Sequence, residues 1–221
     1  MSEQDEKDVK NLKGYKFAAG KGVMNLPNKL TISRMAMIPV FIVFFCVDFT
    51  AHYFVALAVF AIASLTDLFD GKIARKYNLV TNLGKFLDPI ADKVLVLSAL
   101  CLLLARPEIF YGFFGSWVNI VAGCGVAVIL AREIIVSGFR MVAASAGIVI
   151  AADKIGKYKT VMQDAAIIVL IVYAALAELL CDHLAVQIVY YAGLAFFAVA
   201  VLLTVISGVY YLIKNKQVLK S

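Results

Sequence analysis

Long apolar segments follow one another along the chain and are separated by short polar stretches. These segments lie near residues 30–49, 54–77, 85–105, 117–145, 160–180 and 185–213. Each is at least as long as the roughly 20 residues that a helix needs to cross a bilayer. A strand of a membrane barrel would instead show about 9–11 residues of alternating polarity. The pattern therefore predicts an all-α integral membrane protein with six transmembrane helices.

The composition supports a membrane protein without an additional soluble domain. Of the 221 residues, 63% are hydrophobic and 16% are charged, whereas soluble domains contain about 45–50% and about 25%. A chain of this length holds at most roughly six to eight spans with short connections, so no additional soluble domain is expected. The net charge of +6 is also compatible with nucleic-acid binding. Cytoplasmic loops of membrane proteins need Lys and Arg as well, so nucleic acid is not expected as a partner.

Residues 1–23 form a charged leader that differs from the rest of the chain. The leader mixes lysines with carboxylates, and no apolar run typical of a signal peptide follows it before the first long span. We expect a mobile or interfacial segment, although a remnant of an expression vector is equally compatible because Met24 could serve as a natural start. The predicted transmembrane domain accordingly covers residues 24–221.

The distribution of cations predicts the orientation in the membrane. Lys and Arg cluster at alternate helix ends, whereas Arg106 is the sole Lys or Arg in the opposite connections. Four carboxylates lie on the side of Arg106: Asp48, Glu108, Glu178 and Asp182. Because the cytoplasmic loops of membrane proteins carry the excess of Lys and Arg, both termini are expected in the cytoplasm. The sequence thus predicts a multi-pass protein of the cytoplasmic membrane.

Four aspartates flank the connection between the second and third spans: Asp67, Asp70, Asp88 and Asp92. At 100° per residue, the first two lie about 60° apart around one helix and the last two lie about 40° apart around the next. Each pair shares a face, so two antiparallel helices would direct both pairs into one polar cavity that faces the cytoplasm. Carboxylates without His or Cys select hard ions, which predicts two divalent cations, Mg²⁺ or Mn²⁺, with Ca²⁺ less favoured.

Paired divalent ions stabilise the attacking and leaving oxygens of a phosphoryl group, so the expected substrate is a phosphate ester or a diphosphate. Small residues beside the aspartates would allow a bulky group such as a nucleotide to approach the backbone. Two alternatives stay open at this point. The aspartates could form a salt-bridge network that locks the helices, or they could bind ions in a divalent-cation transporter, although they do not form a path across the bilayer.

The same connection carries a motif of fixed spacing, Asp67-x2-Asp70-Gly71-x2-Ala74-Arg75-x8-Gly84-x3-Asp88-x3-Asp92. This motif resembles the signature of the CDP-alcohol phosphotransferase family. The resemblance implies six transmembrane helices, a homodimer, and transfer of a substituted phosphoryl group from a CDP-linked donor to an alcohol with release of CMP. It further implies that the four aspartates are metal ligands and that Asp92 is also the catalytic general base. The implied contacts to the donor are Gly71, Ala74, Arg75 and Gly84.

A second group of polar residues predicts an acceptor that itself carries a phosphate. Arg132 and Arg140 are eight residues apart, about 80° around the fourth span. Because Arg132 lies inside that span, anchoring at the membrane surface explains it poorly, although anchoring explains the lysines about as well. The predicted phosphate-binding set is Arg34, Arg132, Arg140, Lys157, Lys159 and Thr160. Asn28 and Thr31, near the mouth of the first span, are candidate donor contacts.

The segments around these residues also resemble the bacterial members of the family that use CDP-diacylglycerol and sn-glycerol 3-phosphate. That resemblance implies phosphatidylglycerophosphate and CMP as products, with the lipid tails of the donor in the bilayer. An inositol phosphate or another alcohol is the alternative acceptor. Gln163 and Asp164 could line the acceptor cavity, but a hydrogen bond between helices explains them equally well.

Overall fold

A computed structural model of the chain describes residues 26–76, 82–111, 115–145, 154–180 and 184–215. Within those ranges, only the helical backbone is described for residues 26–29, 67–76, 82–89, 92, 144–145 and 154. The charged leader, residues 1–23, lies outside the described residues, so its prediction stays a prediction.

Secondary structure in the described ranges is entirely helical, which confirms the all-α fold class. The helices are α1 (Leu26–Cys46), α2 (His52–Lys76), α3 (Asn82–Ala105), α4 (Pro107–Tyr111), α5 (Trp117–Ser145), α6 (Lys154–Leu179) and α7 (Leu184–Lys214). The six long helices follow the six predicted apolar segments. Helix α6 begins six residues earlier than predicted, because its polar first turn is helical without being apolar.

The short helix α4 was not predicted. It begins at Pro107, whose fixed φ and missing N–H suit the first helical position, and Glu108 in its first turn complements the positive end of the helix dipole. Five residues are too few to produce a periodic hydropathy signal. Helix α4 therefore had to be observed rather than predicted.

The long helices carry the properties of membrane spans. Three described segments are long and apolar enough to cross a bilayer: Trp117–Ala143, Ile155–Leu179 and Leu184–Lys214. Shorter apolar segments cover Leu30–Cys46, His52–Thr66 and Lys93–Ala105. Large apolar side chains such as Ile120, Met141 and Leu184 are exposed on the outer faces of α5 and α7. Such continuous exposure is unfavourable in water and favourable in lipid, so the chain is an α-helical membrane protein.

Two apolar clusters on α5 and α7 leave a polar layer between them. The main core includes Ile129 of α5 and Phe197 of α7. A second, smaller cluster joins Val136 of α5 to Tyr211 of α7. Between these levels the two helices carry polar residues that face each other, among them Arg132 and Ser207. The apolar packing on either side fixes the height of this polar layer in the bundle.

At the other end of the bundle, charged residues connect the ends of several helices. The guanidinium of Arg106, after α3, donates to the Asp48 carboxylate and to the Cys46 carbonyl at 3.1 Å. Hydrogen bonding with the Asp48 side chain raises the pKa of Arg106 above its ordinary value, so the group stays charged. The Ala51 N–H, at a backbone φ of 66°, donates to Glu178 at the end of α6 at 3.0 Å. We call these residues, together with Glu108, the outer clasp.

Candidate acceptor site between α3, α5 and α6

A single carboxylate, that of Glu133 on α5, is surrounded by cations from three helices. Its Oε1 accepts a hydrogen bond from Lys159 Nζ of α6 at 2.6 Å and another from the neighbouring Arg132 Nη1 at 2.9 Å. Lys93 Nζ of α3 lies 4.0 Å from Glu133 Oε2. Lys159 is buried, and Arg132 and Glu133 are nearly so. We call these four residues the inner cluster.

The side chain of Arg132 is held in place by α7. Its Nη2 donates to Ser207 Oγ at 3.2 Å. A Cβ added at Gly208 would lie 3.1 Å from Arg132 Cγ, which is closer than ordinary van der Waals contact. A side chain at position 208 would therefore require the Arg132 side chain to shift by a few tenths of an ångström.

Lys93 is held in place by the backbone turn that carries Glu133. Its Nζ donates to Ser137 Oγ, and the Ser137 hydroxyl donates to the Glu133 carbonyl at 2.5 Å. The serine on α5 thus connects α3 to the cluster through a hydrogen-bonded chain. Three helices that are distant in sequence converge on one buried carboxylate.

A small cavity of about 30 Å³ opens beside the inner cluster. It is lined by Lys93, Val96, Leu97, Glu133, Lys159, Thr160 and Gln163. The Gln163 side chain is almost fully buried. The cavity borders cations, a carboxylate and an amide together, which is the surrounding that a small polar anion requires.

The structure brings together some of the residues predicted to bind phosphate and separates others. Arg132 and Lys159 meet at Glu133, and Thr160 lines the adjoining cavity. Arg34 on α1 is fully buried, whereas Lys157 on α6 is exposed.

Arg140 lies apart from the inner cluster. Its Nε donates to the Tyr211 hydroxyl at 3.3 Å, and its guanidinium carbon lies 5.5 Å from the centroid of the Tyr211 ring. Two helical turns separate Arg140 from Arg132, a rise of about 12 Å. Tyr211 of α7 therefore accounts for the position of this arginine without a ligand.

The four aspartates are described through their helices only. Asp67 and Asp70 lie in the last three turns of α2, and Asp88 and Asp92 lie in the first three turns of α3. Helices α2 and α3 contact each other and both pack against α1. Among the described side chains, which do not include those of the four aspartates, no three or more of His, Cys, Asp or Glu form a group that could bind a metal.

The predicted donor contacts fall largely outside the described side chains. This holds for Asn28, Gly71, Ala74, Arg75 and Gly84, as it does for the side chains of Asp67, Asp70, Asp88 and Asp92. The side chain of Thr31 on α1 is described, and it is almost fully buried. The metal and donor sites therefore stay predictions from the motif.

Two members of the inner cluster and two of its hydrogen-bond partners were missed at the level of sequence. The cluster members Glu133 and Lys93 and the partners Ser137 and Ser207 were assigned no role in binding. One signal was present for Glu133, because a carboxylate directly after an arginine inside an apolar span is costly unless the two are used together. The two hydroxyls gave no such signal, since Ser is common within membrane helices.

Comparison with known proteins adds an independent finding. Residues 24–210 match the family model of the CDP-alcohol phosphatidyltransferases. A relative from Bacillus subtilis, named CDP-diacylglycerol–glycerol-3-phosphate 3-phosphatidyltransferase, is 40% identical over 90% of this chain and 99% of its own length. Relatives of the same name from Rickettsia bellii and Salmonella paratyphi A are 37% and 39% identical, over 85% of this chain and 93% of their own lengths.

Proposed function

Since the chain belongs to the CDP-alcohol phosphatidyltransferase family, we propose that it transfers the phosphatidyl group of CDP-diacylglycerol to sn-glycerol 3-phosphate. The products are phosphatidylglycerophosphate and CMP. The names of relatives from several bacteria support both substrates. The observation that carries the acceptor assignment is the convergence of Arg132 and Lys159 on Glu133 beside a polar cavity.

The inner cluster suits the phosphate of the acceptor because its cations have more N–H donors than described hydrogen bonds. Lys159 has three N–H donors and makes one described hydrogen bond, to Glu133. Arg132 has five donors and makes two described hydrogen bonds, to Glu133 and Ser207. Glu133 thus positions the two cations without saturating them, and the remaining donors bind the phosphate oxygens. Hydrogen bonds between charged partners are the stronger kind, which favours a phosphorylated acceptor over a neutral one.

The aspartate motif is the proposed metal site. Carboxylates on adjacent turns of α2 and α3 form an all-oxygen donor set, which fits hard divalent cations such as Mg²⁺ or Mn²⁺. Asp67, Asp70, Asp88 and Asp92 would hold two such ions. When bound, the ions neutralise negative charge on the diphosphate of the donor. Excess EDTA should abolish CMP release and added Mg²⁺ or Mn²⁺ should restore it, whereas undiminished release in EDTA would contradict the metal site.

Asp92 is the proposed general base. The reaction forms a bond between the acceptor hydroxyl oxygen and the phosphorus of the phosphatidyl group, and it breaks the bond from that phosphorus to the oxygen of CMP. The hydroxyl proton passes to Asp92, because an alcohol is a poor nucleophile until a positioned base removes its proton. Asp92 lies one residue before Lys93, so the proposed base and the inner cluster share one turn of α3.

The remaining donor contacts and the membrane arrangement complete the proposal. The backbone at Gly71, Ala74 and Gly84 approaches the nucleotide, Arg75 contacts its diphosphate, and Asn28 and Thr31 contact the donor from α1.

The six long helices are six spans of the cytoplasmic membrane, with both termini and the active site on the cytoplasmic side. The molecule is a homodimer, as the family resemblance implies.

The proposed function is tested by supplying purified protein with CDP-diacylglycerol and Mg²⁺ or Mn²⁺ and comparing CMP release across acceptors. The acceptors are sn-glycerol 3-phosphate, an inositol phosphate, glycerol and serine. Release is expected to be fastest with sn-glycerol 3-phosphate and slow with glycerol. Faster release with the inositol phosphate would overturn the acceptor, and the absence of release with every acceptor would overturn the proposed activity.

A further inference from the structure

One residue that lines the cavity beside the inner cluster, Gln163, has a buried amide oxygen without a described hydrogen-bond donor. Oε1 of Gln163 has no hydrogen-bond partner among the described residues, and the side chain is only 2% exposed. Gln163 lies one turn after Lys159 on the same face of α6, and it lines the cavity beside the proposed phosphate site. A buried acceptor without a donor destabilises the protein unless a ligand or a water molecule supplies the hydrogen.

The neighbouring donors in this cavity are already directed elsewhere. Lys93 donates to Ser137, and Lys159 donates to Glu133. The Thr160 hydroxyl donates to the Gly156 carbonyl at 3.1 Å, back along its own helix. None of these described hydrogen bonds reaches the oxygen of Gln163, although the residue lines the same cavity.

The dimensions of the cavity limit what can supply the missing hydrogen. A volume of about 30 Å³ accommodates roughly one water molecule or one hydroxyl group of a larger ligand. The cavity also borders Val96, which lies one turn after Asp92 on the same face of α3. Gln163 likewise lies one turn after Lys159, so an acceptor that joins the phosphate site at Lys159 to the base at Asp92 would hold its middle carbon over the cavity that Gln163 and Val96 line.

We infer that Gln163 is a specificity-determining residue whose amide oxygen accepts a hydrogen bond from the middle hydroxyl of the acceptor. This inference rests on the proposed function. In sn-glycerol 3-phosphate one terminal carbon carries the phosphate and the other carries the reacting hydroxyl, so the hydroxyl between them is the group that reaches the middle of the site. Gln163 thereby selects a phosphorylated polyol over a phosphorylated simple alcohol, which the cations alone do not distinguish.

The experiment compares sn-glycerol 3-phosphate with 3-hydroxypropyl phosphate, which keeps the phosphate and the reacting hydroxyl but lacks the middle hydroxyl. The parent protein is expected to prefer sn-glycerol 3-phosphate by about tenfold or more in kcat/KM. Gln163→Leu removes the acceptor oxygen and should reduce this preference to less than about threefold. Gln163→Glu keeps an acceptor oxygen and should retain the preference, even if its added charge weakens the binding of both phosphates.

The preference is a ratio within each variant, so a reduced amount of folded protein does not change it. If Gln163→Leu does not accumulate, Gln163→Met provides a second apolar side chain of similar length. Gln187→Leu on α7 is the matched control and should retain the full preference. Retention of the preference in both apolar variants, or its equal loss in Gln163→Glu, would overturn the inference.

The parent protein separates this inference from the proposed function. Efficient CMP release with sn-glycerol 3-phosphate but no preference over 3-hydroxypropyl phosphate would overturn the role of Gln163 and leave the proposed function standing. The absence of release with either phosphorylated acceptor would overturn both.

Discussion

The two charged clusters at opposite ends of α6 are built in opposite ways. In the inner cluster, one carboxylate, Glu133, is surrounded by three cations. In the outer clasp, one cation, Arg106, is flanked by the carboxylates of Asp48 and Glu108. Nineteen residues of α6 separate Lys159 from Glu178, a distance of about 28 Å along the helix.

The two clusters also differ in how far their side chains are buried. The side chains of Lys159 and Glu133 are 4% and 14% exposed, whereas those of Asp48 and Glu108 are 73% and 61% exposed. Exposed ion pairs contribute little to stability, and buried charges are costly unless each one is partnered. Three cations, Lys93, Arg132 and Lys159, outnumber the two carboxylates near them, Glu133 and Asp164, which supports the proposed anionic ligand. The outer clasp instead joins helix ends.

The largest expected difference in kcat is between aspartate substitutions at the two ends of the bundle. Asp92→Asn should lower kcat by about 10²–10⁴-fold with little change in the KM for the donor, because the loss of a general base affects the chemical step. Asp48→Asn in the outer clasp makes the same chemical change and should leave kcat within about twofold. Steady-state CMP release measures both variants. A near-normal kcat in Asp92→Asn would remove this residue from the role of base.

The next largest difference concerns the cations. Arg132→Ala or Lys159→Ala should each lower kcat/KM for sn-glycerol 3-phosphate by about ten- to a hundredfold, because each removes a charge-assisted hydrogen bond of about 1.5–3 kcal/mol. The KM for CDP-diacylglycerol should change little, and Arg106→Ala should leave both parameters unchanged.

Unphosphorylated glycerol provides the control for the cation variants, because it has no phosphate to lose. Its slow reaction should be almost unaffected by the substitutions of Arg132 and Lys159. A parallel decrease with glycerol and sn-glycerol 3-phosphate would mean that these cations are structural or that they serve the donor.

A smaller effect is expected at the centre of the inner cluster. Glu133→Gln keeps the shape of the side chain but removes the charge that orients Arg132 and Lys159, so the KM for sn-glycerol 3-phosphate should rise by about tenfold. The KM for the donor should stay constant, and Glu178→Gln should change neither constant. Equal changes in the two KM values of Glu133→Gln would indicate a general packing defect rather than a positioning role.

The smallest effect is expected in the outer clasp. Arg106→Gln removes an exposed ion pair and a hydrogen bond to the Cys46 carbonyl, so the free energy of unfolding should decrease by about 1 kcal/mol. Thermal unfolding in detergent measures this change as a decrease of a few degrees in Tm, while CMP release well below Tm should be unchanged. A large loss of CMP release at that temperature would contradict the view that the outer clasp contributes to stability and not to activity.

The helices could be predicted from sequence because membrane spans have a strong and simple signal. Each long helix coincides with an apolar segment, and only the five residues of α4 were too short to register. The polar start of α6 was missed for a different reason, because hydropathy detects burial in lipid and does not detect helical backbone.

The acceptor site could be predicted only in part. Arg132 stood out because a charge inside a span is costly, and Lys159 lay in a basic segment at a helix start. The role of Glu133 as the common partner depends on how α3, α5 and α6 pack against one another, and periodicity within a single helix does not contain that information. Arg140 shares a broad face with Arg132 but lies two turns away beside Tyr211, so its role in phosphate binding stays a prediction.

The glycine at position 208 has a consequence for mutational tolerance. Helix α7 is otherwise largely apolar, and its exposed positions should accept many different apolar side chains. At Gly208 the Cβ of an alanine would lie 3.1 Å from Arg132 Cγ, so the side chain that is hydrogen-bonded to Glu133 and Ser207 would have to shift by a few tenths of an ångström. In a library of all single substitutions under selection for growth, position 208 should therefore tolerate fewer side chains than the exposed positions of α7, although a glycine there has no side chain with which to touch a substrate.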